Sequence, residues 1–157
     1  MMEAGVVIVG GKPVFWHLPP GRTGGSLPDS RDLWDVLWEH REGALDGFAH
    51  SHPGSGWPGP SQTDVTTFLA IERALGQRLK WWITSRTNMV LLAWTGDRPD
   101  SPTYGSTSLR GDEEPGWVWK LREHSYVADP AVGGTILVPE TGERVEVLSM
   151  GQAKRVL

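Results

Sequence analysis

The segment from Leu45 to Leu75 constrains the fold most, because its pattern indicates a strand, a loop and a helix in that order. Leu45–His52 carries apolar residues up to a pair of histidines and predicts a strand. Three prolines and three glycines between Pro53 and Pro60 predict a loop. Apolar residues then recur at helical spacing after Ser61 and stop before Gly76, which predicts a helix.

Similar patterns elsewhere predict a single domain of residues 1–157, α/β in class and of the α+β type, with a mixed β-sheet flanked by helices. We expect its core within residues 3–96, with 97–157 as loop and tail. Thr95–Gly116 is polar and rich in Gly, Pro and Asp, which predicts a long loop. The remaining predictions are strands at Val6–Val9, Pro13–Leu18, Lys80–Thr84, Met89–Trp94 and Trp117–Leu121, a helix at Arg31–Arg41 capped by Ser30, and a hairpin of Thr135–Val138 with Arg144–Leu148.

The composition of the chain limits its partners and its chemistry. A net charge of -4 argues against a binder of phosphate backbones, so we expect no nucleic-acid partner. The chain has no cysteine, so a bound metal would need histidine, carboxylate or water ligands. The N-terminus lacks a signal-peptide pattern, and no segment approaches the roughly 20 apolar residues of a membrane span. We therefore expect a cytoplasmic protein with no membrane partner.

Three side chains around the predicted loop have the chemistry of a metal site. His50 and His52 lie two residues apart on the predicted strand, so both point to the same face. Asp64 lies in the first turn of the predicted helix and can supply a third ligand. Two neutral imidazoles and one carboxylate leave a zinc ion an open fourth position, which is typical of a catalytic rather than a structural site.

Each part of this motif has a simpler interpretation when it is taken alone. Two exposed histidines on an edge strand would give the same His-x-His pattern. Ser61 and Asp64 form the Ser-x-x-Asp pattern of a helix N-terminus, in which the carboxylate is favourable at the positive end of the helix dipole. Both roles can hold together, because a capped helix start is a rigid mount for a ligand.

The full run from Leu45 through His50-Ser51-His52-Pro53 to Ser61-Gln62-Thr63-Asp64 resembles the JAMM signature. This signature defines the JAB/MPN (Mov34/MPN/PAD-1) family of zinc metallopeptidases, whose domain is cytidine-deaminase-like. The flanking Gly47-Phe48 and Pro60 match as well, and the order of the following helix and two strands extends the resemblance over roughly residues 3–96.

The resemblance implies a role for each residue of the motif. His50, His52 and Asp64 would bind zinc, and Ser61 would donate a hydrogen bond to the oxyanion of the tetrahedral intermediate. An upstream glutamate would act as general base on the zinc-bound water. Glu3 is the candidate, because Glu3-Ala4-Gly5 through Gly10 loosely resembles the family's Glu-x-x-Gly-x-Leu-x-Gly pattern and no other acid lies before Asp29. The alternative for Glu3 is a charge on a frayed terminus.

The start of the chain departs from the family, in which a strand and a long helix precede this glutamate. Only Met1 and Met2 precede Glu3. We expect either a trimmed fold, with the tail or a partner chain in place of the helix, or a misassigned start.

The resemblance implies a zinc metallopeptidase or isopeptidase with a protein or peptide substrate, for which the C-terminus of a ubiquitin-like protein is a candidate. Two alternatives stay open: a non-catalytic scaffold of the MPN type, and a zinc hydrolase with a non-peptide substrate. Trp57 either lines a substrate groove or packs the loop down, and His17 either approaches the site or is satisfied by hydrogen bonding. The oligomeric state is left open.

Overall fold

The computed structural model describes residues 1–98, 101–126, 134–138 and 143–147 of the chain. In chain order, its elements are β1 (Gly5–Val9), β2 (Lys12–His17), α1 (Arg31–His40), β3 (Leu45–Ser51), α2 (Gln62–Leu75), β4 (Lys80–Thr84), β5 (Met89–Arg98), β6 (Ser101–Leu109), a 3-10 turn (Gly111–Glu113), α3 (Val118–Tyr126), β7 (Gly134–Val138) and β8 (Glu143–Val147).

Six of the strands form one mixed sheet in the order β2-β1-β3-β4-β5-β6. The β3–β4 pair is parallel, and the other neighbours are antiparallel. A parallel pair needs a crossover connection, and α2 supplies it between β3 and β4. The expected class, a mixed sheet flanked by helices, is confirmed, and β3 lies inside the sheet with a partner on each side.

Alternation along the strands sends side chains to two apolar layers. On β1, Val7 joins the layer beneath α1 and α2, whereas Val6 and Ile8 join the layer beneath α3. The buried members of the first layer include Leu33, Leu37, Phe48, Phe68, Ile71, Trp81 and Ile83. Those of the second are Ala4, Val6, Ile8, Ala49, Trp82, Met89, Val118 and Leu121.

Two predictions from the sequence were wrong. Thr95–Gly116 is not a long loop, because β5 continues to Arg98 and pairs with β6 over Ser101–Leu109. The described part of β6 is largely exposed at the sheet edge, so its sequence carries no apolar alternation. Trp117–Leu121 is not a strand, because Val118 begins α3. The buried residues of α3 recur at helical spacing over a span longer than that short apolar run: Val118, Leu121, Arg122 and Ser125.

The tail forms the expected hairpin, with Gly134–Val138 antiparallel to Glu143–Val147. The predicted turn of this hairpin and the predicted end of its second strand at Leu148 lie outside the described residues. Among the described helices, none is long and apolar enough to cross a membrane.

The N-terminus is tied to α3. Met2 donates its backbone N–H to the Ser125 carbonyl at 2.9 Å, and the Ser125 hydroxyl donates to the Met2 carbonyl at 2.7 Å. A helix from the second half of the chain therefore covers the sheet face next to the start of β1.

Candidate metal centre

Strand β3 brings His50 and His52 to one side of the sheet. His50 is buried and pairs in register with Gly5 on β1 and Ile83 on β4. His52 follows the end of β3, and its N–H donates to the Thr84 carbonyl at 2.9 Å, which continues the alignment with β4. The two Nε2 atoms lie 3.0 Å apart. The two-residue spacing thus places both imidazoles at one point, as the sequence predicted.

The N-terminus of α2 brings Asp64 to the same point. Ser61 caps this helix: its hydroxyl oxygen accepts the Asp64 N–H at 3.0 Å, and Asp64 Oδ2 accepts the Ser61 N–H at 2.9 Å. Asp64 Oδ1 lies 3.3 Å from His50 Nε2, and Oδ2 lies 3.1 Å from His52 Nε2. The capping interpretation and the metal-site geometry therefore hold together.

The donor set fits a zinc ion. With bonds of about 2.0–2.1 Å, a tetrahedral zinc places its ligand atoms about 3.3 Å from one another. His50 Nε2 and His52 Nε2 lie 3.0 Å apart, and Asp64 faces them through different oxygens, Oδ2 at 3.1 Å from His52 and Oδ1 at 3.3 Å from His50. The atoms are two imidazole nitrogens and one carboxylate, the ligand types that a chain without cysteine can offer zinc.

Glu3 lies at the same cluster and is only 7% exposed. Its Oε1 is 3.9 Å from His52 Nε2, and Glu3, His50 and His52 each offer a ligand atom within 4.8 Å of the others. Its backbone is held by the Thr23 carbonyl, which accepts the Glu3 N–H at 2.7 Å, and by Arg22 Nη1, which donates to the Glu3 carbonyl at 3.2 Å. Glu3 is therefore not a charge on a frayed terminus.

The charges in the cluster set two opposite pKa shifts. Burial raises the pKa of Glu3, and the Asp64 charge adds to this, although both histidines act in the other direction. Burial also acts to raise the pKa of Asp64, but hydrogen bonds from His50, His52 and Ser61 outweigh it and hold that pKa well below its usual value. Asp64 is thus suited to serve as an ionised ligand and Glu3 to exchange a proton.

The pKa of His52 responds to the same pair of carboxylates. Burial acts to lower it, but the hydrogen bond and charge of Asp64, together with the charge of Glu3, raise it above the usual value. Protons therefore compete with a metal for His52 when the pH is low.

Two residues that the sequence did not single out support the cluster. Ser51 faces away from the histidines, and its hydroxyl accepts the Ala4 N–H at 2.9 Å, next to Glu3. The Tyr126 hydroxyl donates to the Gly54 carbonyl at 2.7 Å and accepts the Gly54 N–H at 2.8 Å, which fixes the turn after His52. Strand alternation could have turned Ser51 away from the metal, but no local signal identifies these long-range partners.

His17 shows both of the roles expected for it, and Trp57 packs on its own loop while it remains largely exposed. His17 is 2% exposed, and its Nε2 lies 2.7 Å from the Pro28 carbonyl, to which an Nε2–H donates. It lines the same cavity as the cluster but points its polar atom away to Pro28. Trp57 is 57% exposed, and its ring packs against Gly59 within the loop. Thr95–Gly116, predicted as a long loop, contributes the edge strand β6.

Comparison of the chain with protein-family models and with curated proteins gives no match in either case.

Proposed function

We propose that the protein is a zinc-dependent metallopeptidase or isopeptidase of the JAB/MPN type, acting in the cytoplasm. The observation that carries the proposal is the convergence of His50, His52 and Asp64, whose nearest ligand atoms lie 3.0–3.3 Å apart, beside the buried carboxylate of Glu3. Surface histidines and a helix cap would account for the separate parts of this motif, but not for their meeting at one point with a second, buried acid.

His50, His52 and Asp64 would hold the zinc. A zinc ion bound there supplies Lewis acidity and lowers the pKa of a coordinated water from about 15.7 to about 7. Glu3 lies 3.9 Å from one of the ligand atoms, and its raised pKa suits a group that takes up and returns a proton.

The chain's own residues then divide the hydrolysis between them. Glu3 takes the proton from the attacking water as its oxygen bonds to the carbonyl carbon, and returns it to the leaving amine as the C–N bond breaks. Ser61 accepts the Asp64 N–H through its hydroxyl oxygen, so the hydroxyl proton is left to donate to the developing oxyanion.

A peptide or isopeptide bond is the proposed substrate bond, and the C-terminus of a ubiquitin-like protein is one candidate for the chain that carries it. Among the described strands, β2 stands at one edge of the six-stranded sheet, and its end at His17 is level with Gly5 and His50. Its free edge can pair with the main chain of an extended substrate.

The metal content of the purified protein tests the proposal first. We expect one zinc per chain by elemental analysis, and zinc-dependent cleavage of a mixed peptide library and of ubiquitin-like fusion proteins. The Glu3→Gln variant should keep its zinc and lose turnover by a factor of about 100 or more. Glu42→Gln, at an exposed position, is the matched control and should keep both.

Two results would contradict the proposal. If the wild-type protein takes up no zinc, the enzyme hypothesis is refuted and the scaffold alternative is favoured. Zinc-loaded Glu3→Gln with unchanged turnover would show that another group is the base.

A further inference from the structure

The metal centre opens into a cavity of about 490 Å³ that extends away from it between the sheet, α1 and α2. Glu3, His50, His52 and Asp64 all line this cavity. Its volume lies within the roughly 300–1,000 Å³ of sites that enclose small ligands. The space is therefore larger than the metal and a water molecule require.

The floor of the cavity is apolar. It is formed by side chains from four different elements, each of which is at most 8% exposed: Leu33, Leu37, Phe48, Phe68, Ile71 and Trp81. Phe68 stacks on Trp81 with ring centroids 4.3 Å apart, so the two rings brace each other. Clefts that are lined mostly by apolar side chains, with a few polar groups at one place, are typical of ligand sites.

The rim of the cavity is exposed and built from small residues. Gly24, Gly25 and Ser26 lie on the loop after β2, and Thr63 and Thr67 lie on the first two turns of α2. Leu27 and Asp29 of the same loop also line the cavity. A group that enters between the loop and α2 would meet the floor and the metal centre in one space.

We propose that this floor is a specificity pocket for a large apolar side chain, aromatic or branched aliphatic, on the substrate residue next to the cleaved bond. This inference rests on the proposed hydrolase function. The reacting groups and the apolar floor share one cavity. A substrate residue whose peptide bond lies at the reacting groups would therefore place its own side chain on the floor. A residue without a side chain, such as glycine, would leave the floor empty and gain nothing from it.

A pair of threonine variants on α2 tests the pocket. Thr67 lines the rim, whereas the neighbouring Thr66 is also exposed but is not part of the cavity lining. We expect Thr67→Trp to cover the entrance, and Thr66→Trp to leave it open. Both variants should keep one zinc per chain, because neither residue belongs to the metal cluster.

Hydrolysis gives the first measurement. Matched peptides carry phenylalanine or glycine on either side of the cleaved bond. The wild-type protein should cleave the better phenylalanine peptide with a kcat/KM about 10- to 100-fold higher than its glycine counterpart. Thr67→Trp should lose this preference, and Thr66→Trp should retain it. Equal rates for the two peptides in the wild-type protein would overturn the pocket.

Binding gives a second measurement that does not depend on catalysis. The probe is N-acetyl-4-fluoro-phenylalanine methylamide, observed by fluorine NMR with the zinc-loaded protein. We expect its signal to broaden with the wild type and Thr66→Trp, and to stay sharp with Thr67→Trp. Broadening without peptide hydrolysis would keep the pocket and refute the proposed activity. Hydrolysis without broadening and without side-chain preference would refute the pocket and keep the proposed activity.

Discussion

Asp64 and Ser61 hold each other through two reciprocal hydrogen bonds, and the Asp64 oxygen that accepts the Ser61 N–H also lies 3.1 Å from His52 Nε2. One carboxylate oxygen thus serves both the start of α2 and the candidate metal centre. The cap fixes the rotamer of Asp64 before any metal arrives, which lowers the entropic cost of assembling the site. The stability of the helix and the proposed metal binding therefore depend on the same residue.

Substitution of Asp64 should separate these two roles. Asp64→Ala and Asp64→Asn should both empty the site, as measured by elemental analysis for zinc. Asp64→Asn keeps a side-chain oxygen that can accept the Ser61 N–H. In urea unfolding of the zinc-free proteins, its free energy of unfolding should therefore exceed that of Asp64→Ala by about 0.5–1 kcal/mol. Ser30→Ala removes the corresponding cap of α1, where the Ser30 hydroxyl accepts the Leu33 N–H at 3.1 Å. Ser30→Ala should lower the free energy of unfolding by about 1 kcal/mol and leave the zinc in place. If Asp64→Ala retained its zinc, Asp64 would be excluded as a ligand.

His17 should make the stability of the protein depend on pH. Burial lowers the pKa of His17 below its usual value of 6.5, although the hydrogen bond to Pro28 opposes this. Below pH 6.5 the unfolded chain therefore binds a proton that the folded protein does not, so the free energy of unfolding falls as the pH falls. The measurement is urea unfolding of the zinc-free wild type and of His17→Gln at pH 7.5 and 5.5. The difference between their free energies of unfolding should become smaller at pH 5.5, by up to about 1 kcal/mol. A difference that stays constant would show that His17 does not contribute.

Glu72 should be the most sensitive glutamate in the α2–sheet interface. It is 3% exposed and accepts hydrogen bonds from the Leu79 N–H at 2.9 Å, from Trp81 Nε1 at 3.0 Å, and from the Arg78 guanidinium and the Tyr104 hydroxyl. Glu72→Gln replaces one acceptor with an NH₂ group that faces these donors, so we expect unfolding to become easier by about 3 kcal/mol. Glu39→Gln, on the exposed side of α1, is the control and should change stability by less than about 0.5 kcal/mol. Equal effects in urea unfolding would contradict this role.

Local patterns were sufficient for the elements that position the site. Ser61 and Gly76 were predicted to bound α2, and they are its N-cap and its left-handed C-cap. The hairpin of β1 and β2 and the strands β3 and β4 also lie close to their predicted positions. These signals are local, because capping bonds, turn glycines and apolar spacing act within a few residues.

The second half of the sheet was predicted poorly for the opposite reason. Strand β6 is held by pairing with β5 at the sheet edge rather than by an apolar face of its own, so Tyr104–Leu109 looked like a polar loop. The run Trp117–Leu121 was too short to distinguish a strand from a helix. Only the burial of residues as far on as Arg122 and Ser125 shows the helical period of α3.

The position of Glu3 beside the histidines could not be predicted from the motif alone. Its distance in sequence from His50 gave no measure of their distance in space. The pairing of β1 with β3 decides the distance between Glu3 and His50 in space. Gly5 stands opposite His50, so Glu3, two residues before Gly5, lies next to the cluster. Gly5 itself is needed at that point, since a Cβ there would lie 2.3 Å from the Phe48 ring.

The sequence by itself determined the chemistry of the candidate site: two histidines on one strand face, an aspartate on a helix cap, and no thiolate. It also determined the elements that carry them, because strand alternation and helix capping are properties of short segments. The tertiary structure alone decided that Glu3 reaches the cluster, that α3 covers the second face, and that a cavity with an apolar floor adjoins the candidate metal centre. These features depend on contacts between residues far apart in the chain, which packing selects and local preference does not encode.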